Sequence, residues 1–477
     1  MLSPKALVRA AQLLVLGELL LAYRRGRINK VRLATFSALL VTFVHGVAPR
    51  FPVWARLLGI GKHVVHRKVE GEVAPGFEAV REAFQKNVDE GLERGAQFVV
   101  YYKGKKVVDL AGGTQPEYNA ETQQIIFSNS KTLSAITLAK AVAAGRIRYE
   151  AKVSEYWPEF AQNGKDDITV ADVMRHDAGL AYFTKKARLP ISYALRENLD
   201  KCADFLAKQA PSWTESGDKP KSRAYHAVTR DLITGELVRR VDPEGRTMGM
   251  ILRAEIAEPL DATLTLGPGT QEEKELLSDL QFESIPQTVI GYFIRKFLGI
   301  ALPTEGLFLS VFGDPKSTVA RTFNCLLLDG IRDKDTYFNE EIMHDAEMGS
   351  SNVRSNARSM AKVADAMSRR ALLPEHVHEA AMANPVEKYD SGVMGETNFT
   401  QGGFCKFGGS TWDASSEGFA GWGGLGGSQL MWNDDEEIGV AYVMNGNLAT
   451  SALGLLDPRF LRLQRTLMAC IKAQSQQ

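Results

Sequence analysis

The sequence predicts a mixed α+β (α/β) protein, with a sheet containing antiparallel hairpins, flanking helices and a helical lobe. Two strand–turn–strand patterns near opposite ends of the body support the sheet, and helical periodicities fill the interval between them. The composition, 44% hydrophobic and 24% charged, is that of a folded chain and excludes a mostly disordered, collagen-like or coiled-coil protein. At 477 residues the chain has ample length to bury a core without disulfides or metal.

The first strand pattern is Ala96 to Gly112, two β-rich runs separated by Lys103, Gly104 and Lys105, where glycine supplies the turn. The second is Ser428 to Met444, with Asn433 to Glu437 as its polar turn. Between them, apolar residues recur three and four apart over Leu133 to Ala144, Ala171 to Arg175, Leu232 to Val241 and Ser355 to Met367, which predicts helices. Residues 286 to 312 are strongly apolar and broken by Pro303 and glycines, a pattern that fits either core or a lid over a site. The domain reading is a basic apolar segment over 1–70 and a body over 71–477, with an insertion-rich middle at about 186–345.

Charge sharpens the domain reading. The 57 basic and 57 acidic side chains cancel, so no global field favours nucleic acid. Through residue 60, however, nine basic residues face a single acid, Glu18. Inside this segment Leu33 to Ala48 is uncharged, just short of the ~17–25 residues of a membrane-spanning helix. Membrane association, organelle targeting (mitochondrial among the routes) and a helical hairpin docked on the body all fit it; otherwise the chain is expected in the cytoplasm. The four cysteines, Cys202, Cys325, Cys405 and Cys470, lie far apart, which argues against a disulfide framework and a zinc site. His376 and His378 lack a third ligand nearby, and no metal or other cofactor is expected. Asn398-Phe-Thr400 is a glycosylation sequon whose use depends on compartment.

The chemistry centres on Phe127 to Lys140. Ser128 and Lys131 have the Ser-x-x-Lys spacing, which on a helix start places an amine one turn from a hydroxyl whose proton it can take. The same spacing also describes an N-cap serine followed by a solvated lysine. Context separates this pair from Ser216/Lys219, in a polar loop, and Ser359/Lys362, on the polar face of a helix, because Ser128 lies between an apolar run and an apolar helix.

Four blocks in order, FSNSKT at 127–132, ITVADVMRHDAGL at 168–180, YHAVTRDLITGELV at 225–238 and GWGGLGGS at 421–428, resemble the class C β-lactamase and penicillin-binding-protein-like serine hydrolases. The resemblance spans roughly residues 75 to 470 and is greatest to the esterase branch and the animal β-lactamase-like proteins. It implies a sheet built from both ends of the domain, an all-helical lobe and a site in the cleft between them. It further implies that Ser128 is the nucleophile forming an acyl-enzyme, that Lys131 is the first proton acceptor and that Tyr225 relays the proton to the leaving group. The backbone N–H groups of Ser128 and Leu425 would form the oxyanion hole, with Trp422, Gly423 and Gly424 lining the substrate. Read alone, Tyr225 also fits a residue covering a helix start, and Trp422-Gly423-Gly424 a glycine-rich turn with a packing tryptophan. His226 is a supporting candidate, and His176-Asp177 is expected to be structural, since adjacent side chains do not point at each other.

One departure bears on substrate. Lactamases and carboxypeptidases of this family carry a cationic residue where this chain has Trp422, and tryptophan offers only a neutral N–H. The sequence therefore predicts hydrolysis of a small ester or amide. A penicillin-binding-type peptidase or amidase is the alternative and would need another cation, for which Arg354 and Arg358 are the nearest candidates. A membrane-associated scaffold with little catalysis is the third reading.

Overall fold

The computed structural model describes residues 69–184, 187–282, 314–333, 336–409, 412–447 and 456–476. The segment through residue 60 and the apolar stretch 286–312 lie outside the described residues.

Nine strands form one antiparallel sheet: β1 (Glu70–Val73), β2 (Ala96–Tyr102), β3 (Lys105–Gly112), β4 (Val386–Asp390), β5 (Gly395–Phe399), β6 (Cys405–Lys406), β7 (Ala420–Gly423), β8 (Gln429–Asn433) and β9 (Ile438–Met444). Their spatial order is β1-β3-β2-β9-β8-β7-β6-β5-β4, so strands from both ends of the body meet where β2 pairs with β9. Both predicted hairpins are present. Lys103 and Gly104 both take left-handed backbone, at φ 51° and 72°, a turn whose twist matches its flanking strands.

The sheet is covered on both faces, which is why β9, IGVAYVM, is buried along its whole length rather than alternating. Gly439 lets helix α5 (Ala357–Ser368) approach so closely that a Cβ there would lie 2.5 Å from the Asp365 nitrogen. Tyr442, three residues on and hence on the opposite face, stacks against Phe460 of the C-terminal helix α6 (Pro458–Gln474) at 6.0 Å. Helix α1 (Glu78–Asp89) packs beside α6.

The helical part is built around α2 (Ser130–Ala143) and α4 (Thr229–Val241), which pack together, with α3 (Leu199–Ala207) against α4. Periodicity predicts α2 and α4 but begins them at Leu133 and Leu232, and it does not pick out α3. The first turn of α2, Ser130-Lys131-Thr132, is polar yet buried, so an apolar pattern misses it. All four cysteines are free and buried.

Candidate active site

The Ser128 turn sits where the start of α2 meets the end of β7. Residues Phe127–Asn129 form a 3-10 turn ahead of the helix, and the residue in the capping position is Asn129, so Ser128 is not a helix cap. The turn is fastened to the sheet. Asn129 Nδ2 donates to Ser428 Oγ at 2.8 Å and to the Ile126 carbonyl at 3.2 Å, and Ser428 Oγ donates to the same carbonyl at 3.1 Å. Phe127 has φ +47°, left-handed backbone that costs a non-glycine residue on the order of 1–3 kcal/mol and is typical of functional turns. Its ring is wedged edge-on against Phe338 at 4.9 Å and Phe282 at 6.0 Å.

Gly424 is where the sheet comes closest to this turn. A Cβ on it would lie 2.2 Å from Ser428 Oγ and 2.5 Å from the Ile126 carbonyl oxygen. This approach brings the half-buried Leu425 into the apolar cluster of Ile125 and Phe127, beside Ser128. Gly424→Ala is accordingly expected to lower stability by about 1–3 kcal/mol and to cut activity at least tenfold, measured by thermal melting and ester turnover.

Lys131 is fully buried. Its Nζ donates to the Ala227 carbonyl at 2.7 Å and the Ser350 carbonyl at 2.9 Å, and lies 4.8 Å from the centre of the Tyr225 ring. A neutral amine has two N–H groups and one lone pair, so two carbonyls satisfy its donors and leave the lone pair free to take a proton. Burial drives the Lys131 pKa well below the usual lysine value and Arg230 adds to this, while Asp231 opposes it. Ser350 and the backbone of Lys131 itself are held in turn. Arg230 pairs with Asp231 at 2.9 Å and donates to the Lys131 carbonyl at 2.5 Å, and Ser350 Oγ donates to Asp231 Oδ2 at 2.8 Å.

The Ser128 side chain lies beside the Tyr225 hydroxyl and lowers its pKa. The Tyr225 hydroxyl accepts from Trp422 Nε1 at 2.9 Å, and the two rings lie 5.5 Å apart. Burial raises the phenol pKa above its usual value, and the Ser128 side chain and the hydrogen bond from Trp422 pull it back down. Ser128, Lys131, Tyr225, Trp422 and the Gly423-Gly424-Leu425 run are thus brought to one place. Trp422, however, is buried and its single N–H is spent on Tyr225 rather than offered to a substrate.

Other sequence candidates fall elsewhere. Arg358 pairs with Asp109 at 3.1 Å and also with Glu121. Arg354 Nη2 donates to the Gly267 carbonyl at 2.5 Å. Arg358 is thus engaged by two carboxylates, whereas Arg354 Nε and Nη1 are buried without a hydrogen-bond partner. Asp177 binds Arg223 and Lys388, as a structural residue would. His378 bonds Asp434, and among the described residues no cluster of side chains suits a metal ion. Ser216 and Ser359 are engaged by Asp218 and the Thr263 N–H.

A model of the beta-lactamase family matches residues 80–458, most of the chain and every site residue above. The chain belongs to the beta-lactamase family. Among relatives of this beta-lactamase-family chain, the Esterase/beta-lactamase LipL of Mycobacterium tuberculosis (strain ATCC 25618 / H37Rv) is 33% identical over 201 residues. That match spans 41% of this chain and 44% of that protein. A penicillin-binding protein homologue from Caulobacter crescentus superposes at a TM-score of 0.67 with 28% identity, covering 85% of this chain and all of that one. EstA from Arthrobacter nitroguajacolicus Rue61a gives a TM-score of 0.68 with 25% identity, covering 84% and 98%. A family VIII carboxylesterase, at 24% identity and a TM-score of 0.66 over 85% of this chain and 100% of that one, shows the same fold.

Proposed function

We propose that this chain is a serine hydrolase acting on a small neutral ester through an acyl-enzyme on Ser128. The observation that carries the proposal is the Ser128 side chain placed near enough to the Tyr225 hydroxyl to lower its pKa, with the desolvated Lys131 amine over the face of the same ring. As Ser128 Oγ attacks the carbonyl carbon, its proton passes to Tyr225 while the phenol proton passes to Lys131, so no buried phenolate is left unpaired. The attacked carbonyl becomes an oxyanion held by the Ser128 and Leu425 N–H groups, where each donor is worth about 10²–10³ in rate. Collapse expels the alcohol, which takes the proton back from the Tyr225–Lys131 pair. Water entering by the reverse relay then frees the acid and restores Ser128.

The neutral character of the site favours esters over carboxylate-bearing lactams and peptides. Trp422 brings no charge, and Arg358 is paired with Asp109 and Glu121. Short-chain p-nitrophenyl esters are expected to turn over faster than a carboxylate-bearing cephalosporin or a D-alanyl-D-alanine peptide; the reverse order would favour the peptidase reading. Trp422→Phe keeps the ring but loses the N–H to Tyr225. It is expected to lower kcat about two- to tenfold, the worth of one hydrogen bond of about 0.5–1.5 kcal/mol, with stability little changed.

The segment through residue 60, with nine basic residues against the single acid Glu18 and the uncharged stretch Leu33 to Ala48, is proposed as a targeting or anchoring element. Membrane fractionation with and without residues 1–60 tests this, and equal partitioning of both forms would sink it.

A further inference from the structure

The backbone on either side of the Tyr225 phenol is held with unusual completeness. Three consecutive N–H groups donate outside their own segment: Ala224 to the His176 carbonyl at 3.3 Å, Tyr225 to Asp390 Oδ1 at 2.7 Å, and His226 to His176 Nδ1 at 3.0 Å. The His226 ring closes the loop, its Nε2 accepting from Leu180 N–H at 3.0 Å and its Nδ1 donating to the Ala224 carbonyl at 2.7 Å. His176 thus brackets Tyr225 from both sides, once through its carbonyl and once through its ring. The same ring lies 4.7 Å from the Tyr225 ring and 4.9 Å from that of Phe399.

We propose that His176 is a positioning residue for the reaction, its Nδ1 acting as the acceptor that fixes the Tyr225 backbone and so aims the phenol at Ser128. The proposal rests on the reading of Tyr225 as the proton acceptor of Ser128.

The identity of the residue argues for this role over simple packing. Because Nδ1 accepts, the ring proton of the neutral imidazole is on Nε2, and that buried nitrogen has no hydrogen-bond partner. A buried N–H without a partner is destabilising, and a phenylalanine would supply the same ring contacts without it. What requires histidine here is therefore the Nδ1 acceptor. The environment keeps that nitrogen unprotonated. Burial, reinforced by Arg230, His226, Lys131 and Arg223, holds the His176 pKa well below its usual value, so the acceptor persists through the working range. His176 also has φ +66°, where asparagine and glycine are tolerated and most other residues are strained. That choice of backbone supplies two clean variants. His176→Asn preserves an acceptor, and His176→Gly removes it with no backbone strain.

Steady-state hydrolysis of p-nitrophenyl butyrate by the full chain tests the proposal, using His176→Asn, His176→Gly, Tyr225→Phe and the double variant that combines His176→Gly with Tyr225→Phe. His176→Gly is expected to lower kcat on the order of 10²-fold with KM within threefold, as a displacement near 1 Å does. His176→Asn should recover to within about fivefold of wild type. The double variant should lose no more than Tyr225→Phe alone, because both changes act through one phenol. An unchanged kcat in His176→Gly, no recovery in His176→Asn, or losses that multiply in the double variant would each overturn the proposal. Should His176→Gly not fold, nitrogen NMR of the wild-type histidines decides instead. A His176 ring protonated on Nε2 supports it, and one protonated on Nδ1 overturns it. Tyr225→Phe at full wild-type kcat would instead remove the underlying reading of the site, an outcome distinct from failure of His176 alone.

Discussion

Ser128→Ala is expected to abolish labelling by a fluorophosphonate and to reduce ester turnover on the order of 10⁴-fold or more, with the protein still folded. Loss of a nucleophile removes the covalent route altogether, and what remains is the modest acceleration given by oxyanion donors and binding. Stability is expected to change little, because Ser128 is half-buried and only its Oγ is removed. The control is Ser216→Ala. Ser216 has the same spacing to a lysine, but it lies on the exposed surface with its hydroxyl donating to Asp218, and Lys219 is exposed rather than desolvated. That variant should label as fast as wild type. Intact-mass measurement of both variants checks the prediction. Retained labelling in Ser128→Ala would place the nucleophile elsewhere, and a folded wild type that never labels would move the balance to the scaffold reading.

The contrast between Ser128 and Ser216 also shows what could be read from the chain. Residues that share a short motif were legible: Ser128 with Lys131, Tyr225 at the start of its block, and Gly424 in its glycine run. Both hairpins were legible too, since a glycine turn between β-rich runs is a local signal. The groups that make the motif work were not. Lys131 meets the Ser350 carbonyl across 219 residues and Tyr225 meets Asp390 across 165, separations that no periodicity encodes. The sheet order has the same difficulty, because β2 pairs with β9 from the far end of the body. Trp422 illustrates a third kind of miss. Its residue type excluded a cation, as read, but only the fold shows that its N–H is consumed by Tyr225 instead of facing substrate. From the sequence alone His176 is expected to be structural, because its neighbour Asp177 cannot form a relay with it. Its Nδ1 contact to the His226 N–H, across 50 residues, came only with the fold.

Lys131→Met should separate the two consequences of burying an amine. Methionine fills a similar volume with no proton to exchange, so turnover is expected to fall at least 10³-fold, since the relay loses its terminal acceptor. Stability should change with pH in a defined direction. The unfolded chain protonates this lysine below about 10.4, whereas the folded protein excludes the proton until a much lower pH, because burial opposes the charge. Between those limits unfolding takes up a proton, so wild-type stability rises with pH across the window and this contribution levels off near pH 10.4. The methionine variant has no such term. Its stability relative to wild type should therefore be most favourable at the acidic end of the window and should decline steadily as pH rises toward 10. Loss of the donors to the Ala227 and Ser350 carbonyls sets a constant offset and leaves this slope untouched. Denaturant melts of both proteins from pH 6 to 10 measure the difference, and parallel curves would show that Lys131 is charged in the folded state. Wild-type activity should appear as pH rises through the same lowered pKa, because only the neutral amine accepts the relayed proton. An activity onset near the ordinary lysine value would show that burial does not hold the Lys131 amine neutral at lower pH, and an activity with no such onset would remove Lys131 from the relay.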